Sequence, residues 1–288
     1  MSAIVPVTAS LNSNAVPSYQ ANPFVTGFNI SVTGNTTLSV SPGAAVAFGS
    51  SALIQYPQDL PGLPVTLSAD ISTTGVNGCY PLSLATLALA NDTIFPLYVI
   101  SNSAGTTNGS LNPDSGTIPA LVVATGSNFL PKGFDQFRRI GYVFVAHSTG
   151  HLIPVIQSGK SNDRLYMFDY SVLALSAGAA TTATGVDLTA LDGLIPPKKG
   201  VEVIFGSVLV GNAAAAYLQT FPTNGNALFN QAGAITPVAA QPFGTQFVMA
   251  AGLNNSSNAS IDYLVNNAGT SSTLYVNGFV DSLDALLY

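Results

Sequence analysis

The sequence predicts an all-β protein, a β-sandwich or jelly roll with an extended N-terminal arm. Three observations carry this. Short apolar runs recur along the 288 residues, cut every several positions by Gly, Pro, Asn, Ser or Thr. Some of them alternate apolar and polar residues, as at 37–40 and 65–71, which is the period of a half-buried strand. No long segment with a 3.6-residue period and no fixed-period repeat appears among them.

Taken in order, residues 1–22 are polar, punctuated by Pro and without period, which predicts the arm. One β-sandwich is expected over 23–288, with a subdivision near 196–200, where Ile195-Pro196-Pro197-Lys198-Lys199-Gly200 reads as a rigid extended connection. Strands are predicted at 24–26, 28–32, 36–40, from 44 to 48, at 65–71 and at 94–100, where Pro96 suggests an edge or a bulge. They continue at 120–124, 164–170, 172–175, 201–205, 208–210, 246–250, 261–265 and 274–280. Residues 56–64 form a Pro-rich loop, and 101–117 a polar loop suited to surface contact. The run 82–90 reads equally as a short helix or a buried strand. Residues 213–218 have helical propensity over too short a span, and 224–244 read as loop.

The rest is arranged around residues 126–159. A turn at Leu130-Pro131-Lys132-Gly133 leads into the aromatic and basic cluster Phe134, Phe137, Arg138 and Arg139. Two apolar runs, 140–146 and 152–156, flank the polar turn Ser148-Thr149-Gly150 and predict a β-hairpin.

Composition narrows the function classes. Charged residues make up 7%, against roughly 25% in an ordinary soluble domain. A surface covered by Ser, Thr, Asn, Gly and Ala suits extended contact with other protein copies, because little charge is desolvated on association. The competing reading is an extracellular β-protein with a neutral surface. Hydrophobic residues are 47%, yet no run approaches the roughly 20 apolar residues of a spanning helix, so no membrane insertion is expected. The Met-Ser-Ala start carries no pattern of a secretory signal.

The seven basic residues all lie between Lys132 and Lys199, and Glu202 is the only Glu. A net charge of −6 without a basic tail argues against nucleic acid as a partner. The basic cluster is expected to pair with Asp135, Asp163 and Asp169 within the protein. Cys79 is the only cysteine, so no intrachain disulfide forms and the redox compartment stays open.

From residue 70 to 205 the pattern resembles a group of tailed-bacteriophage virion proteins found among tail-fibre and other appendage genes. The resemblance rests on Thr73-Thr74-Gly75-Val76-Asn77-Gly78, on Leu130-Pro131-Lys132-Gly133 and on Arg138-Arg139-Ile140-Gly141-Tyr142-Val143. The Gly150 turn, the strand ending Ile156-Gln157 and the step at Pro196-Pro197 complete it. It implies a β-sandwich virion component, oligomeric and most plausibly trimeric, and no enzyme. The chain has no Trp, where the group has several, so no role resting on Trp is carried over.

No catalytic, cofactor or metal site is expected. His147 and His151 flank the turn as HSTGH; zinc would need further ligands, and none lies nearby in sequence. Arg138 and Arg139, adjacent in a strand, point to opposite faces, and one is expected to pair with an Asp inside the sandwich or across a subunit contact. Gripping an anionic glycan or a phosphate is the functional alternative for them. Asp59, Asp92, Asp114 and Asp163 suit turns, and no carboxylate pair sits in a groove motif of a glycosidase. Cys79 has no base at a telling spacing. Asn-x-Ser/Thr triplets such as 29–31 and 35–37 are expected by chance at this composition. The expected role is a virion component, tail fibre or adaptor against capsid decoration or head fibre, joining copies of itself and other virion proteins through its arm. The other class of function is a receptor module binding host surface glycan through Tyr56, Tyr80 or Tyr217.

Overall fold

A computed structural model describes residues 24–49, 53–56, 67–87, 89–90, 92–102, 120–126, 128, 130–159, 163–188, 194–196, 201–212, 215–223, 232–235, 240–256 and 258–282. The arm at 1–22, the Pro-rich loop from residue 57 and the polar loop from residue 103 lie outside these residues.

The protein is all-β, with one 3₁₀ turn at Leu84–Thr86 and no α-helix among the described residues. The first strands are β1 (Val25–Gly27), β2 (Ile30–Val32), β3 (Thr37–Val40), β4 (Gly43–Val46) and β5 (Leu53–Tyr56). Then come β6 (Leu67–Thr74), β7 (Gly78–Tyr80), β8 (Thr93–Ser101), β9 (Ala120–Ala124) and β10 (Gln136–Val145). They form a three-stranded sheet, β1-β4-β5, and a seven-stranded sheet, β10-β8-β9-β7-β6-β3-β2. Val25, Ala45 and Ile54 of the small sheet share one core with Leu38, Ile71, Leu97, Val99 and Ile140 of the large one.

The second half contains β11 (Val155–Ser158), β12 (Asp163–Gly178), β13 (Thr184–Asp187), β14 (Glu202–Val210) and β15 (Tyr217–Pro222). It closes with β16 (Ala232–Ile235), β17 (Pro242–Ala250), β18 (Gly252–Leu253), β19 (Ala259–Val265) and β20 (Ser271–Ser282). One sheet runs β11-β12-β20-β14-β17; the other runs β13-β19-β15-β16, with β18 paired to β19. A second core lies between them, Tyr166, Phe205 and Phe279 on one side and Leu218, Ile261 and Val265 on the other. Tyr142 and Phe144 of β10 join this second core, so β10 belongs to both halves.

Alternation explains many of these strands. In β6, Leu67, Ala69 and Ile71 are buried while Ser68 is exposed; in β14, Val203, Phe205 and Leu209 point inward. β9 is buried along its whole length, as an interior strand covered on both faces should be. Pro96 fits β8 because β9 reaches only Leu97–Ile100, leaving one neighbouring strand at the proline.

Three expectations are corrected and two open readings, 213–218 and 82–90, are resolved. The hairpin exists only around its turn: Ala146 donates its N–H to His151 O (2.9 Å) and Ile153 to Phe144 O (2.7 Å). Pro154 has no N–H with which to continue the ladder, and beyond it β11 leaves to pair with β12 while β10 pairs with β8. The runs 164–170 and 172–175 are a single strand, β12, whose register with β20 shifts between Met167 and Val172. In 213–218 the chain is already entering β15 at Tyr217, since so short a helix cannot outweigh pairing with β16 and β19. In 224–244, Ala232–Ile235 and the start of β17 are strands held by long-range pairing to β15 and β14. Among the described residues of 82–90, the one regular element is the 3₁₀ turn, with Thr86 Oγ1 donating to Ser83 O at 2.7 Å.

Candidate functional site

The most concentrated chemistry lies where β10 meets β20 and β12. Strict alternation would put Arg139 and Tyr142, three residues apart, on opposite faces of β10. The register shift between Arg139 and Gly141 makes Ile140 an extra residue and returns both side chains to one face. The Arg139 guanidinium stands 4.9 Å from the centroid of the Tyr142 ring and hydrogen-bonds the Tyr142 hydroxyl. Its Nη1 donates to Asp281 Oδ2 at 2.7 Å. Arg139 is 3% exposed and Asp281 1%.

Rings enclose this pair. Tyr166 stacks on Phe279 at 4.8 Å, and Tyr142 meets Tyr166 edge-on at 5.6 Å. Burial by itself lowers the Arg139 pKa, but Tyr142 and Asp281 outweigh it and leave the guanidinium raised above its ordinary value. Burial raises the Tyr142 phenol well above its ordinary range, with Arg139 pulling the other way. Tyr166 is also pushed up, first by burial and then by the Asp281 charge. Both phenols therefore stay neutral.

Arg164 is a second buried guanidinium on the same junction. It lies opposite Asp281 in the β12–β20 register, but it donates to neutral oxygens: Asn29 Oδ1 (3.0 Å), Gly159 O (2.6 Å) and Gly27 O (2.6 Å). Burial lowers its pKa. Two of those acceptors are in the first half of the chain, so Arg164 ties the halves together. Gln157 does the same at the open edge of β2, its Oε1 accepting the Ile30 N–H at 3.1 Å. The edges of the seven-stranded sheet come close here: a Cβ on Gly141 would lie 2.7 Å from Ile30 Cδ1 and 2.8 Å from Tyr166 Oη. A cavity of about 20 Å³ remains, lined by Ile30, Tyr142, Phe144, Gln157 and Tyr166 among others, room for a guest on the order of one water.

The other residues singled out by sequence are dispersed. Arg138 is buried on the opposite face of β10, across from Val99. Phe137 stacks on Phe48 at 5.8 Å and meets Tyr98 edge-on at 6.0 Å. Phe134 packs beside it over Tyr98, Ile100, Ala120 and Val122. His147 is in the turn, with Nδ1 2.9 Å from Asp92 Oδ1, and His151 is exposed. Among the described residues no three His, Cys, Asp or Glu side chains converge as a metal set. Cys79 is buried, and burial pushes its thiol up to about 12. Tyr56, Tyr80 and Tyr217 belong to strands of three different sheets.

The carboxylate bound by Arg139 was not among its sequence neighbours Asp135, Asp163 and Asp169; it is Asp281, 142 residues further on. One signal pointed to it. Asp281 follows Phe279 at the inward period of an apolar strand, where an acid needs a buried cation.

No family model matches the chain, and no curated protein sequence matches it. Solved structures with partial likeness include the mosquito-larvicidal Cry4Aa toxin of Bacillus thuringiensis, at 10% identity and a TM-score of 0.20 over 90% of this chain and 51% of the toxin. Another is the VP2 subviral particle of infectious bursal disease virus, at 12% identity and a TM-score of 0.22 over 90% of this chain and 70% of VP2. The chain thus spans about half the length of the toxin and about seven-tenths of VP2.

Proposed function

We propose that this protein is a non-enzymatic structural component of a bacteriophage virion, assembled in the host cytoplasm into a trimer of identical copies. It serves as a tail-fibre or adaptor piece, or as a capsid-decoration or head-fibre protein, and residues 1–22 attach it to other virion proteins. One observation carries the reading: Arg139, Ile140 and Gly141, on which the resemblance to phage appendage proteins partly rests, do structural work at the junction of the two halves. Away from the junction, Leu130-Pro131-Lys132-Gly133 is a turn closed by Phe134 N–H to Pro131 O at 3.1 Å, with Gly133 at φ 97°, and it packs on the outer face of the first half. Arg139 holds Asp281, Ile140 supplies the bulge, and Gly141 admits the close approach of Ile30 and Tyr166. Residues that serve such a junction support a role in architecture. The low charge, 7% of residues, favours contact with further copies.

The test is the purified particle. Mass spectrometry of virions from a host producing this chain should find it in copy numbers divisible by three. Its absence from particles that are otherwise complete would overturn the proposal.

A further inference from the structure

The outer face of the five-stranded sheet bears a transverse apolar row. The pairings Ile156↔Met167, Met167↔Gly278, Gly278↔Ile204 and Ile204↔Val248 place these residues side by side across β11, β12, β20, β14 and β17. Their neighbours Tyr166, Val203, Phe205, Met249 and Phe279 point into the core, so the row points away from it. Ile156 is 66% exposed and Val248 54%. Met167 fills the gap at Gly278, where a Cβ would lie 3.1 Å from its Sδ and 2.1 Å from Tyr166 O. The flanking rows add Leu165 and Val280 on one side, Leu173 and Tyr275 on the other.

An antiparallel sheet with one face in water normally carries polar residues on that face. Polar side chains share this face, Ser171 donating to Asn277 Oδ1 at 2.8 Å, but the charged positions are marginal: Asp163 and Glu202 stand at one end, paired with Ser282 and with Val280, and Asp169 sits in the β12 bulge. A centre poor in charge with a charged margin is the anatomy of a protein interface.

We infer that this face packs against a second copy of the chain, each copy of the trimer proposed above presenting it to the next. The size fits. Four strands at about 4.8 Å with nine residues each at about 3.4 Å, and the four residues of β11, give roughly 650 Å² of sheet, against the ~800 Å² per partner of a stable interface. The low charge over the whole surface means that the receiving patch on the neighbour also desolvates little.

The experiment is native mass by light scattering and sedimentation on the full chain, on Ile156→Asp and Val248→Glu, and on Leu82→Glu as control. Leu82 is 50% exposed and lies outside this sheet. All three side chains are exposed enough for the variants to fold, which circular dichroism verifies. The expected result is a trimer for the parent and for Leu82→Glu, with the dissociation constant raised about tenfold or more in the two face variants. A parent trimer unmoved by either face variant overturns this inference and leaves the proposed function standing. A parent dimer that both face variants dissociate upholds the face and overturns the trimer. A monomeric parent overturns both, as does dissociation by Leu82→Glu alone. Loss of the oligomer on removing residues 1–22, with the face variants unaffected, assigns self-association to the arm and overturns the face.

Discussion

The two halves of the molecule treat the outer face of their larger sheet in opposite ways. In the first half, Tyr98, Ile100, Ala120 and Val122 point away from the main core, and the chain covers them itself with Leu130, Phe134 and Phe137. In the second half, the row through Ile156, Ile204 and Val248 points outward, and its ends stay more than half exposed. Both sheets have two apolar faces; only one has a covering segment among the described residues. On the inference above, the apolar face left exposed among the described residues is the one that meets a neighbouring copy. The junction between the halves then has to be rigid, because a covered sheet and an uncovered one must be held in fixed relation for the second to meet a neighbour.

Breaking that junction has the largest expected effect. Asp281→Ala removes the carboxylate 2.7 Å from the buried Arg139 guanidinium and should cost about 3–5 kcal/mol in denaturant unfolding. Replacing both partners, Arg139→Met with Asp281→Leu, should restore most of the loss, and the double-mutant cycle gives the coupling. A double variant as unstable as Asp281→Ala would show that the pair does not act as a unit.

Gly141→Ala comes next. Its methyl would crowd Ile30 and the Tyr166 hydroxyl, an overpacking cost of about 1–3 kcal/mol. An unchanged midpoint would mean that the edges of the seven-stranded sheet stand further apart than described.

The covering segment supplies a direct contrast. Phe137→Ala uncovers Tyr98 and should cost about 1–2 kcal/mol, whereas Val248→Ala on the bare face should change monomer stability by less than about 0.5 kcal/mol. Equal losses would erase the distinction between the two faces.

The smallest effect concerns Cys79. Its thiol is raised from 9.0 to about 12 in the folded protein, first by burial, so the neutral form is favoured by folding. That contribution is intact below pH 9 and declines as pH rises through the folded value near 12. Native protein at pH 8 should resist thiol reagents until it is unfolded; rapid labelling in the native state would contradict the burial.

How much of this was legible in the sequence depends on the range of the interaction. Alternation along 65–71 located β6, because burial there repeats every second residue, whereas the apolar runs 201–205 and 208–210 marked β14 without showing that they are one strand. The adjacent arginines marked β10 as unusual, and their opposite faces followed from strand geometry. Their partner did not, since Asp281 is brought to Arg139 only when β20 pairs with β12 and β14. The bulge at Ile140 was equally hidden, because it changes the face of Arg139 without changing composition. Pro154 was visible, but its consequence, the parting of two runs that look like a hairpin, depends on β12 being there to receive β11. The Gly- and Ala-rich segment around β16 gave no strand signal, since its pairing comes from β15.

The most direct test of the account is native mass in solution for the full chain and for residues 23–288. A stable trimer is expected in both, which would put self-association in the β-sheets and leave the first 22 residues for attachment to the particle. A monomer in both would contradict it, and the sparse charge of this chain would then belong to a neutral-surfaced binding module.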